Sequence, residues 1–431
     1  MIPWHALSKW LVAGLLLALV PAAVMLMRRN RALLHAAVAL VGFLPFAGLS
    51  HFALNLISYE NYRGDSRGLE ITAIDFIVAA LFFALPRATH PAPYRRTRWL
   101  YFAVVLFSVF LAQVPLFSIF SVWKLLRMFA VLAVMARACE DPELSPRLLI
   151  GLGSGVCLEA VLCLWQHYVQ SRYQAAGAFE HQNTLSMACN LIAPVALAVL
   201  LAGPSRMALA TLVGATLCIV LALSRGSLVA FVAALGIAYA ASMWSGITRR
   251  KLEAGALAGL ASLLLTLKVY KTVMKRFLEA STSSLGARHL FEQAAAAMLH
   301  DHPWGIGINQ FSDTLERFGY GAAAGLVVGD QSGIVHNIYW LTLAELGRVG
   351  LCAYLLMIAV PLGLALRGAR RAPEGDPRKQ VLLGCAAGLI VVHAQGLLEW
   401  LARQTSFSYL YWIMAALIAG LCRQLEAGEE A

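Results

Sequence analysis

The sequence predicts an all-α, polytopic membrane protein. Its 431 residues are 60% hydrophobic and 13% charged, where a soluble domain of this size carries about 25% charge. Mean hydropathy is +0.71. Many windows of about eighteen residues hold few or no charges, enough for a helix to cross the ~30 Å hydrocarbon core of a bilayer. A membrane β-barrel would instead alternate apolar and polar residues in segments of about ten.

Hydropathy places spans near 8–27, 32–50, 70–86, 98–115, 118–136, 147–168, 184–202, 206–223, 226–243 and 252–271, then 338–366, 379–399 and 405–422. This makes about thirteen, or about twelve if one segment is re-entrant or interfacial. The first stretch is followed by Arg28, Arg29 and Arg31, the wrong polarity for a cleaved signal, and reads as a first span. The chain divides into an N-terminal transmembrane bundle (1–270), a large polar loop with short helices (271–337), and C-terminal spans with a tail (338–431).

The net charge of +11 does not point to nucleic acid, because the basic residues lie largely in short loops between spans. Arg28–Arg31, Arg87–Arg98, Arg137–Arg147, Arg206, Arg249–Lys251, Arg367–Lys379 and Arg423 fall on alternate connections, which the positive-inside rule makes cytoplasmic. Ser50–Glu70, Tyr168–Asn183, the Ser224–Gly226 turn, the long loop and Trp400–Gln404 then face the other side. All eight cysteines lie in or beside apolar spans, giving no disulfide framework and no zinc site.

Within the loop, Leu285 to His300 has helical apolar spacing, and Pro303 stops it for want of an amide donor. Gly305-Ile306-Gly307 predicts a tight turn, Asn309 to Phe318 resumes a helix, and Gly319 to Gly333 reads as a flap over a site.

Four polar clusters converge on the outer side. They are Gly177-Ala178-Phe179-Glu180-His181-Gln182-Asn183, Ser224-Arg225-Gly226-Ser227, the Ser281 to Arg288 stretch, and His336-Asn337 with Glu345 beyond. Outer arginines run against the positive-inside bias. Arg225 either snorkels to a local carboxylate or recognises an anion, since a guanidinium matches phosphate oxygens bidentately. Arg288, placed at the opening of a loop helix, would add a positive helix terminus. His336 is either an interfacial histidine bonded to a backbone carbonyl or a general base for a hydroxyl, with Asn337 orienting it or a substrate. His181 and Asn183 either hydrogen-bond a sugar or phosphate or cap the next span. Glu345 is assigned a structural role, in helix packing or a buried ion pair. The adjacent His300, Asp301 and His302 diverge on a helix end and make a poor metal site. No phosphate-binding loop for ATP is present.

These motifs together resemble a known family. Gly-Ala-Phe-Glu-His-Gln-Asn (177–183), Ser-Arg-Gly-Ser (224–227), Arg288 ahead of His-Pro-Trp-Gly-Ile-Gly-Ile-Asn-Gln-Phe (302–311), and His-Asn-Ile-Tyr-Trp-Leu-Thr-Leu-Ala-Glu-Leu-Gly (336–347) are similar to the O-antigen ligase/polymerase superfamily of bacterial envelope proteins. The resemblance covers roughly residues 175 to 365. It implies an integral-membrane glycosyltransferase, GT-C-like, that is inverting and uses neither metal nor cofactor. The donor implied is an undecaprenyl pyrophosphate-linked glycan. The acceptor implied for the ligase branch is lipid A-core, met at the periplasmic face of the bacterial inner membrane. Carried over by motif, Arg225 and Arg288 would bind the pyrophosphate, and His336 would be the base; His181, Asn183 and Asn337 are expected to bind substrate from their own chemistry, as above. The compact loop and the Ser-Arg-Gly and His-Asn contexts favour ligase over polymerase. A lipid-linked glycan transporter is the remaining alternative, but transporters place polar residues at mid-membrane, and here they collect at one interface.

Overall fold

A computed structural model describes residues 4–59, 61–88, 90–256 and 282–429. The chain opens with α1 (Trp4–Arg29) and α2 (Arg31–Phe43), followed by an antiparallel hairpin, β1 (Ala53–Ser58) and β2 (Gly68–Thr72). Next come α3 (Ala73–Ala84), α4 (Arg95–Val109), α5 (Pro115–Ala138), α6 (Leu144–Tyr168), α7 (Gln182–Ala202), α8 (Arg206–Ala222) and α9 (Arg225–Trp244). The polar loop holds α10 (Thr282–Asp301), α11 (Phe311–Arg317) and α12 (Tyr320–Ala323). The chain ends with α13 (Ile338–Arg371), α14 (Pro377–Gln395) and α15 (Thr405–Glu429). Most of the span expected at 252–271, and the loop up to residue 281, lie outside the described residues.

Helix starts follow the polar punctuation of the sequence. Asn30, Ser205, Asp376 and Asn337 each accept a hydrogen bond from a backbone amide of the first turn, and Thr72 with Asp75 forms a capping box ahead of α3. Among the described residues, seven helices are long and apolar enough to cross a membrane: Ser8–Arg29, Pro115–Ala138, Leu144–Tyr168, Gln182–Ala202, Arg225–Trp244, Ile338–Arg371 and Thr405–Gly428. Three shorter apolar segments accompany them. The 12 residues of α3 rise only about 18 Å at 1.5 Å each, less than a hydrocarbon core.

Three expected elements differ in detail. The 53–72 segment, expected as outer loop, pairs into the hairpin, where Ala53, Leu54 and Asn55 oppose Thr72, Ile71 and Glu70. The span expected at 338–366 is broken at Gly347, whose φ of 66° and ψ of −171° belong to a region open essentially to glycine alone. The supposed flap folds into α12 and a 3₁₀ turn at Val328–Asp330, tied down by the Ser312 hydroxyl donating to the Ser332 carbonyl at 2.6 Å.

The last helices pack inside the first ones. α15 lies against α5, and α14 against α7. At Gly384 and Gly388 a Cβ would meet Pro194 O at 2.8 Å and Leu191 O at 2.6 Å. This small-xxx-small face therefore brings the two backbones together as in membrane helix pairs, and sets the end of α14 beside the start of α7. At the opposite end of the bundle the basic connections gather. Arg31 pairs with Asp141 at 3.2 Å, and Arg423 pairs with Glu140.

Candidate active site

The polar end of the bundle is held together by two buried carboxylates. The first, Glu345, is 2% exposed. It accepts backbone bonds from Gln310 and Phe311, both at 3.1 Å, and its other oxygen pairs with Arg403, which also reaches Thr342 Oγ1 at 3.3 Å. The break at Gly347 fits this arrangement: the Ile306 and Gly307 amides donate to the Ala344 and Glu345 carbonyls at 3.0 Å. Asn309, held in the left-handed region at φ 61°, donates through Nδ2 to Ser66 O and Phe117 O, both at 2.8 Å. The Gly-Ile-Gly-Ile-Asn-Gln-Phe motif thus docks the polar loop on α13 and clamps the turn between β1 and β2. Glu345 occupies a buried ion pair, as its structural assignment expects.

The second carboxylate is Glu399, on the loop between α14 and α15, and it is 5% exposed. Its Oε1 accepts from Asn183 Nδ2 at 2.7 Å and from Arg288 Nη2 at 3.2 Å. Its Oε2 lies 3.5 Å from His336 Nδ1. Four elements meet at this one side chain: the first turn of α7, the second turn of α10, the entry to α13 and the loop after α14. The entry to α13 is fixed to that loop, because the Ile338 amide donates to Gly396 O at 2.9 Å and the Tyr339 hydroxyl to His393 O at 2.7 Å.

The other expected site residues fall around this carboxylate. Asn337 caps α13, and its Nδ2 donates to Glu292 Oε1 at 2.9 Å, which fixes α10 against the His336 turn. His181 caps α7, its Nδ1 accepting from the Asn183 amide at 3.1 Å. Loss of solvent around its ring lowers the His181 pKa, Glu399 opposes that shift, and positive charge on His336 adds to it. Arg288 does not open its helix. α10 begins at Thr282, so Arg288 sits nearly two turns in, beyond reach of the helix terminus, whose field fades within the first turn. Arg225 is the first residue of α9, after Leu223 at φ 50° ends α8. A Cβ on neighbouring Gly226 would stand 3.9 Å from Leu398 Cδ1, so the start of α9 flanks the loop that carries Glu399.

His336 and Glu399 open onto a cleft of about 770 Å³ that His181, Trp400 and Gln404 also line. The His336 side chain is 41% exposed. When Nδ1 carries its hydrogen toward Glu399, Nε2 presents a lone pair to this cleft. A base held by a carboxylate, with a guanidinium on the carboxylate's other oxygen, can take a proton on one side and steady negative charge on the other.

Residues 195–355 match the family model for O-antigen ligase. The match supports membership of the O-antigen ligase/polymerase superfamily, a class of glycosyltransferase-like membrane enzymes. It takes in Arg225, Arg288, His336, Asn337 and Glu345, whereas His181, Asn183 and Glu399 lie outside the matched stretch. No curated protein matches the chain.

Glu399 is the residue that the sequence reading omits. It is the only acidic residue between Asp376 and Glu426, at the end of an apolar span. An acid in that setting is expensive unless paired, and this was the available signal.

Proposed function

We propose that this member of the O-antigen ligase superfamily is a ligase. It transfers a glycan from undecaprenyl pyrophosphate to lipid A-core at the periplasmic face of the inner membrane. The observation that carries the mechanism is the shared carboxylate: Glu399 faces His336 through one oxygen and Arg288 through the other.

The acceptor hydroxyl gives its proton to His336 Nε2 as its oxygen forms a bond to the anomeric carbon. The bond from that carbon to the pyrophosphate oxygen breaks, and its electron pair leaves with the pyrophosphate. Attack opposite the leaving group inverts the anomeric centre. Arg288 offers Glu399 one bond through Nη2 and keeps other donors of its five for phosphate oxygens, and Arg225 supplies a second guanidinium. Fixed cations meeting charge as it develops lower the barrier without a metal ion. Glu399 holds the His336 tautomer and supports the imidazolium that forms. Asn183 and Asn337 hold Glu399 and the α13 entry in place, and His181 meets substrate at the cleft.

The test is transfer from defined undecaprenyl pyrophosphate glycan to rough lipopolysaccharide by purified protein, without ATP or an ion gradient and in EDTA. His336→Ala, Arg288→Ala and Arg225→Ala are each expected to lose transfer, the arginines by on the order of 10²–10³ in rate. Full activity of His336→Ala would overturn the base. Chain growth on the lipid carrier, with none on lipopolysaccharide, would make the enzyme a polymerase.

A further inference from the structure

We propose that Arg63 and Arg67, on the turn between β1 and β2, form a second anion site that holds a phosphate or carboxylate of the accepting substrate. This rests on the ligase reading and adds a residue pair and a substrate feature to it. Arg63 and Arg67 line the cleft together with His336, whereas among the described residues Arg225 and Arg288 do not. Arg288 lies on the Oε1 side of Glu399 and His336 on the Oε2 side. Arg288 and the cleft-facing His336 therefore meet different oxygens of one carboxylate. A hydroxyl that reaches His336 from the cleft belongs to the acceptor, so a charge held in the cleft is the acceptor's.

Both guanidiniums are exposed, and neither forms an ion pair with another described residue. The acid between them, Asp65, is committed to Lys124 at 2.8 Å. The turn that carries them is fixed. Asn309 holds Ser66 from both sides, donating to its carbonyl at 2.8 Å and accepting from its amide at 3.3 Å. Tyr62 stacks on Phe117 with ring centroids 3.9 Å apart. Two cations four residues apart on a rigid turn lose little freedom on binding, and their planar forks suit phosphate or carboxylate oxygens. Beside them a polar recess of about 280 Å³ shares Arg67, Glu180, Trp400 and Gln404 with the cleft, which gives a sugar, whose hydroxyls can donate to the Glu180 carboxylate, room next to the charge.

A phosphate presented here could come from the acceptor, from the donor or from a lipid headgroup, and one experiment separates these sources. Protein reconstituted in phosphatidylcholine vesicles, with and without added anionic lipid, is assayed with rough lipopolysaccharide as acceptor and undecaprenyl pyrophosphate glycan as donor, for the wild type, R63A/R67A and R63K/R67K. The expected result is an acceptor KM raised roughly tenfold in R63A/R67A, equivalent to about 1.4 kcal/mol. The donor KM stays within about twofold and R63K/R67K recovers part of the loss, as a charge-based contact requires. An unchanged acceptor KM overturns the proposal. So do an equal rise in donor KM, an effect confined to vesicles containing anionic lipid, or no recovery in R63K/R67K. Absence of transfer by the wild type would instead overturn the ligase reading, and with it this extension.

Discussion

At Glu399, one buried carboxylate serves Asn183, Arg288 and His336 at once, so its replacement tests the site more sharply than loss of any one partner. Glu399→Gln keeps the shape but offers an N–H where His336 needs an acceptor. Its kcat is expected to fall by on the order of 10², and wild-type kcat in the reconstituted assay would dismiss the dyad. His181 carries a pH prediction. Its pKa is lowered in the fold, so the neutral ring contributes stability above the ordinary histidine value of ~6.5. That contribution is lost as pH falls through the depressed value, when a proton on Nδ1 removes the cap on α7. His181→Asn, a good cap without a titration, is expected to flatten the acid limb of the melting temperature in detergent. An acid limb as steep as the wild type's would count against the cap. At this scale the sequence singled out residues that are rare in their setting, such as Arg225, Arg288 and His336. Glu399 was harder to read because its partners are 63 to 216 positions away in sequence and its immediate neighbours are apolar.

At the scale of elements, the break in α13 at Gly347 explains why Leu-Ala-Glu-Leu-Gly follows the His-Asn pair. The turn at Gly305 and Gly307 donates to the Ala344 and Glu345 carbonyls, and a Cβ at Gly347 would stand 2.7 Å from Pro303 O. Gly347→Ala combines that clash with a backbone conformation nearly closed to other residues, and is expected to cost about 2–3 kcal/mol. A melting temperature within a degree of the wild type's would refute the docking role. The Glu345–Arg403 pair makes a companion case. Arg403→Leu strands a buried carboxylate and is expected to cost about 3–5 kcal/mol, with the double variant E345L/R403L regaining much of it. Solvent-denatured or thermal unfolding in detergent reads both. Hydropathy locates these helices but not their interruptions. A break whose freed carbonyls are taken by a distant loop leaves no trace in apolar periodicity, and the hairpin escaped notice because its strands are only six and five residues long.

For the whole molecule, the order of assembly is written into the site. Arg225, Arg288 and His336 come from α9, α10 and the start of α13, but the carboxylate that Arg288 and His336 share arrives on the loop between α14 and α15. α14 reaches its place through Gly384 and Gly388 against α7, and α15 fills the centre of the bundle, with 83% of its most apolar window buried. The all-helical membrane class was evident from composition because a bilayer imposes it on the whole chain. The interleaving of last helices with first was not, since packing between apolar faces is nearly silent in one sequence. Fusing a reporter after residue 376 and supplying 377–431 as a separate membrane segment is expected to restore transfer that neither piece shows alone. No restoration from pieces that co-purify would argue against this order. Before α14 and α15 are in place, Arg288 and His336 therefore lack the carboxylate they share, although Asn337 already ties α10 to the His336 turn. Under the proposed mechanism, transfer then depends on the α14–α15 hairpin, so loss of that hairpin removes activity even where the residues of α9, α10 and the α13 entry are intact.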